Sequence, residues 1–160
     1  MSMLLRHRWW VLCLLAVGAV AAHGQAASPA ACPWLTQGTA ARVLGGEVTV
    51  DVYVSEAGEG VCSFVRVTET MTSLRIEVSK SILPACGADA AKLKGIGNEA
   101  LRCAVPTAAD HVTEKIGGRV RDRYFTLAMS HPGSSVANQS AEFQDDALEQ
   151  AAESVAGNLF

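Results

Sequence analysis

Residues 95–100 read Gly-Ile-Gly-Asn-Glu-Ala, a G-x-G-x-x-A spacing. Glycines so placed let a main chain turn tightly against a pyrophosphate, and the N-terminus of a following helix completes the site. That chemistry needs a strand directly before the motif, a helix after it and an acid about 20 residues on. Here residues 90–94 make no convincing strand, and the run that follows is strand-like and holds Cys103. Gly95 and Gly97 are therefore expected to supply a positive φ or a close backbone approach. No cofactor is expected.

The other chemistry-bearing residues are sparse. An activated serine in a nucleophile elbow would show G-x-S-x-G, and the sequence holds none. Beyond the N-terminal segment the histidines are His111 and His131, and neither has a serine or cysteine at a telling spacing. His111 and Glu114 form H-x-x-E, but on a strand residues three apart face opposite ways, so one metal would not reach both. Asp145, Asp146, Glu149 and Glu153 read as the solvated face of a helix rather than as paired catalytic carboxylates. Asn138-Gln139-Ser140 is a glycosylation sequon, with meaning only in a eukaryotic source. Trp34, beside Cys32 and Pro33, is expected to pack over a disulfide rather than stand exposed. No catalytic and no metal-binding residue is assigned.

The cysteines carry more weight. The chain opens with Arg6 and Arg8, then an apolar run over 9–22, then small residues. This is the pattern of a secretory signal peptide, and the run is shorter than the roughly 20 residues a membrane-spanning helix needs. A signal peptide over 1–26 is expected, leaving a single domain over 27–160. Cys13 leaves with the signal, so Cys32, Cys62, Cys86 and Cys103 remain. An even count in an exported chain reads as two disulfides. Of the three pairings open to them, Cys32–Cys62 and Cys86–Cys103 are expected. The first ties a helix to a strand and the second brackets one glycine-rich loop, each contributing roughly 3–4 kcal/mol through loop-closure entropy. No C-x-x-C is present to suggest zinc. The 13 basic residues, less Arg6 and Arg8, leave 11 against 16 acidic, a net charge of −5. Arg119, Arg121 and Arg123 are the one basic cluster, too little for nucleic acid, whose binding depends on neutralising phosphates. Cys32 follows Pro29-Ala30-Ala31 well past the apolar run, which speaks against lipidation, and no stable membrane insertion is expected after signal cleavage.

These residues need elements to position them. Thr36 is placed to cap a short helix that ends at Gly45-Gly46, with Leu35 and Ala40 as a hydrophobic staple. Residues 47–56 alternate Val48, Val50, Val52 and Val54 with polar positions, a half-buried strand. Strands are also expected over 61–69, 73–80 and 99–105, the last ended by Pro106, with a helical turn over 89–94. Gly117 and Gly118 read as the two-residue turn of a hairpin between 111–116 and 119–131. Residues 131–140 read as a loop. Ser140 is placed to cap a final helix whose apolar stripe holds Phe143, Ala147, Leu148, Ala151, Ala152, Val155 and Leu159. The fold class expected is α+β: an antiparallel sheet of five to six strands, with a short N-terminal helix and a C-terminal amphipathic helix.

In this order the pieces resemble the DUF3558-type small exported proteins of actinobacteria. The matching residues are Cys32 with the helix over 34–45, Cys62 and Phe64 in "VCSF", "GIGNEA" over 95–100, and the closing helix. Thr39 stands where those helices usually have Glu, no lipobox is present, and Cys86 with Cys103 is an additional pair. The resemblance implies an α+β fold similar to the Mog1/PsbP-like sandwich, strengthens the pairing of Cys32 with Cys62, and brings no catalytic residues. Together these readings describe an exported, periplasmic or secreted domain without enzymatic activity, with a protein or small-molecule partner in the cell envelope. The alternatives are a small secreted hydrolase whose site is assembled in space, and a secreted inhibitor or effector of another protein.

Overall fold

The computed structural model describes residues 31–68, 72–83, 86–87, 90–107, 111–132 and 138–160, with main chain only at 106–107 and 138–145. The expected signal peptide over 1–26 lies outside them. The first element is helix α1 (Gln37–Val43). Thr36 Oγ1 accepts from the Thr39 amide at 3.1 Å, the bond a helix N-cap supplies. Gly45, at φ +68°, reverses the chain after Leu44. The Gly46 amide then returns to the Ala41 carbonyl at 2.9 Å, which satisfies the last turn. Leu35 and Ala40 are both buried at its base.

Strands β1 (Val48–Val54), β2 (Gly60–Arg66) and β3 (Ser73–Ser79) follow as an antiparallel meander. Strands β4 (Ala91–Leu93), β5 (Glu99–Thr107), β6 (His111–Val120) and β7 (Arg123–Pro132) form a second one. The two meet where β3 pairs with β7. The described residues thus form one sheet of seven strands in the order β1-β2-β3-β7-β6-β5-β4, rather than five or six. The additional strand is β4, where a helical turn was expected: residues 91–93 are drawn out by pairing with residues 100–102. Between β3 and β4 the chain passes three intervening strands, a distance on the order of 19 Å at the usual strand spacing.

Helix α2 (Asn138–Asn158) starts before Ser140, which therefore lies within the helix. It packs on the same face of the sheet as α1. Leu148, Ala151, Ala152, Val155 and Ala156 are buried there against Phe64, Leu74, Ile76, Ile116, Phe125, Leu127 and Met129. The alanines let the helix come close, and each fully buried large side chain contributes roughly 1.5–3 kcal/mol. Among the described residues the opposite face of the sheet carries no helix.

Gly117 and Gly118 do not form the hairpin turn. They lie inside β6, paired with Thr126 and Phe125, and the turn falls at Arg121-Asp122. A Cβ on Gly118 would meet Phe125 Cζ at 2.6 Å, so the glycine is present because an aromatic ring crosses the strand there. Arg121 takes φ +55°, and its amide is held by Asn98 Oδ1 at 2.6 Å. That conformation costs a non-glycine residue about 1 kcal/mol, which the hydrogen bond helps to offset. Likewise β5 runs through Pro106 to Thr107, and β7 takes in His131 and Pro132, which were expected in a loop.

Candidate functional site

Two regions gather chemistry, one on each face of the sheet. On the helix-free face β5, β6 and β7 surround a hollow of about 530 Å³. Gly117 and Gly118 line it with main chain alone, which leaves the strands bare at that point. Leu101 and Tyr124 wall it, and Leu83, from the segment that crosses between β3 and β4, reaches it from the other side. Lys92, Lys94, Asn98, Glu99 and Arg119 surround the apolar part. Arg119 Nε and Glu99 Oε1 are 2.8 Å apart, a largely exposed pair. Lys92 and Lys94 are exposed and make no ion pair among the described residues.

Two constraints shape that hollow. Gly95 and Gly97, at φ +85° and +59°, turn the chain from β4 into β5. A Cβ on Gly97 would meet the Arg119 carbonyl at 2.6 Å, and the Asn98 amide donates to that same carbonyl at 2.8 Å. Ile96 between the glycines is buried. The element that follows is a strand, so "GIGNEA" presents no helix N-terminus to a phosphate. The second constraint is the Cys86–Cys103 disulfide, which fastens the crossing segment to β5 beside Leu101. The other bond joins Cys32 to the fully buried Cys62 and anchors the approach to α1 on β2.

The second region lies between the sheet and α2. Arg102 of β5 reaches Glu114 of β6 at 2.8 Å and Glu149 of α2 at 3.1 Å. His131 Nε2 stands 4.0 Å from Glu114 Oε1, and its Nδ1 lies 3.2 Å from the Pro132 carbonyl. Arg102, Glu114 and His131 are each less than a fifth exposed. This cluster was not foreseen, although a signal was present. Arg102 falls in phase with Ala100 and Ala104, and Glu114 with Val112 and Ile116, so each places a charge on the apolar face of its strand.

A histidine beside a carboxylate is half of a hydrolytic set, but among the described residues the polar partners of His131 are Glu114 and the Pro132 carbonyl, not a nucleophile. Ser130, next to His131, points to the other side of the sheet and bonds Thr113 at 2.9 Å between hydroxyls. His111 and Glu114 fall on opposite faces by their positions in β6. Among the described residues no group of three His, Cys, Asp or Glu side chains is placed to hold a metal ion. Neither His111 nor His131 lines the 530 Å³ hollow.

The three arginines near the β6–β7 turn are all engaged. Arg119 pairs with Glu99, and Arg121 donates to the Phe160 carbonyl and lies 5.3 Å from the centre of its ring. Arg123 donates to the Gly58 and Ala57 carbonyls at 2.8 and 2.9 Å, clasping the β1–β2 turn. Trp34 is buried, and its carbonyl accepts from Asn158 Nδ2 at 2.9 Å. No described helix is long and apolar enough to cross a membrane. No family model matches the chain, and neither a curated protein nor a solved structure matches it.

Proposed function

We propose that this chain is an exported, disulfide-stabilised binding domain of the bacterial cell envelope, without catalytic activity of its own. In this reading it acts in the periplasm or outside the cell, and its likeness to the DUF3558-type exported proteins is one of kinship. The observation that carries the proposal is the hollow over Gly117 and Gly118, lined mainly by apolar side chains and glycine main chain, with no serine, threonine, cysteine or histidine among its lining residues. Its volume falls in the range of small-molecule sites, about 300–1,000 Å³. The paired cysteines, spanning 30 and 17 residues, suit an oxidising compartment.

A photo-crosslinking residue in place of Tyr124, in cells that export the full chain, tests the proposal. An envelope component should be trapped there, and not when the same probe replaces Ser154 on the exposed side of α2. Equal trapping at both positions, or none at Tyr124, overturns it. Hydrolysis of ester or peptide substrates that is lost in His131→Ala would instead favour the hydrolase alternative.

A further inference from the structure

The charges around the hollow do not match those of the chain that carries it. The whole sequence has a net charge of −3, yet Lys92, Lys94 and Arg119 face a single acid, Glu99, around the opening. Arg119 is compensated by Glu99 at 2.8 Å, which leaves the two exposed lysines at the mouth of an apolar hollow. Lys92 lies on the edge strand β4 and Lys94 precedes the turn made by Gly95 and Gly97, and both residues line the hollow. Behind them Leu83, Leu101 and Tyr124 offer apolar contact.

An occupant complementary to this arrangement has an apolar body and one anionic end. The body displaces water from Leu83, Leu101 and the glycine main chain, and the anion rests between Lys92 and Lys94. A neutral ligand would leave the ammonium groups unused, and a cation would be repelled by them. We propose that the hollow binds a small amphiphilic anion, a hydrocarbon body ending in a carboxylate or a comparable group. This inference rests on the hollow being the binding site and adds to that reading the chemical class of the ligand.

Octanoate, 1-octanol and octyltrimethylammonium, titrated into the oxidised protein at low salt, separate the possibilities. The readout is the amide shifts of Gly117, Gly118 and Leu101. Octanoate should shift all three and bind at least several-fold more tightly than octanol, with octyltrimethylammonium weakest. In Lys92→Glu/Lys94→Glu, whose substituted side chains are exposed and leave the core untouched, octanoate should weaken roughly tenfold and octyltrimethylammonium should gain. Equal binding of octanoate and octanol, unchanged in the double variant, overturns the anion inference while leaving the hollow a binding site. If no probe moves these amides, the inference falls. Crosslinking at position 124 then decides separately whether the domain binds anything there.

Discussion

The two faces of the sheet treat charge in opposite ways. Beneath α2, Arg102 is clasped by Glu114 and Glu149 from two other elements, so its charge is consumed in joining sheet to helix. On the open face, Lys92 and Lys94 stand at the mouth of a hollow, and the nearby Arg119–Glu99 pair is 42% and 63% exposed. Burial makes the difference. Where water is excluded a charge must be answered by the fold itself, and where water remains the charge is free to answer a ligand. The inner cluster therefore belongs to stability, and the outer one, in the function proposed above, to recognition.

The contrast can be broken or sharpened by substitution. Arg102→Met should have the largest effect, destabilising the fold by about 3 kcal/mol, because Glu114 and Glu149 both lose the guanidinium that joins them across the sheet and α2. Urea unfolding measures this, and adding Glu114→Leu should restore much of the loss. A loss below about 1 kcal/mol would mean that the inner cluster is not structural. Replacing both Cys86 and Cys103 by Ser should cost about 3 kcal/mol or somewhat less. It should also raise hydrogen exchange around Leu101 while sparing the core of α2. Uniform acceleration across the sheet would remove the special tie between this bond and the hollow.

Gly118→Val should cost about 2 kcal/mol, because its branches would enter the space of the Phe125 ring. Adding Phe125→Leu should relieve part of it, and a thermal melt of the three variants shows whether it does. The smallest effect belongs to Glu99→Gln. It should change stability by no more than about 0.5 kcal/mol, since exposed pairs contribute little. Octanoate should nonetheless bind a few-fold more tightly once the rim loses its acid. Lower stability comparable to that of Arg102→Met would erase the distinction between the two faces.

What could be read in advance was local. Thr36, Leu35 and the Gly45-Gly46 pair announce α1 because capping depends on residues within one turn. The alternation in 48–54 and 74–78 announces strands because side chains change face at every residue. The alanine-rich stripe of α2 has the same character. The sequence also contained the strand-phase charges Arg102 and Glu114, whose meaning emerges only once a helix is known to cover them.

The amino-acid sequence by itself thus determined the α+β class, the principal strands, the helix near each end and the cysteines available for pairing. The two disulfides are those expected from the sequence. Tertiary structure alone decided the strand order and the placing of Glu149 against Arg102, 47 residues away. It also decided the role of Gly117 and Gly118. A pair of glycines suits a hairpin turn as well as a strand that an aromatic ring must cross, and only the pairing of Gly118 with Phe125 distinguishes the two. The physical reason is common to all of these. Caps and alternation are settled among near neighbours in the chain, whereas strand partners, ion pairs and hollows arise from surfaces that meet only after the chain has closed on itself.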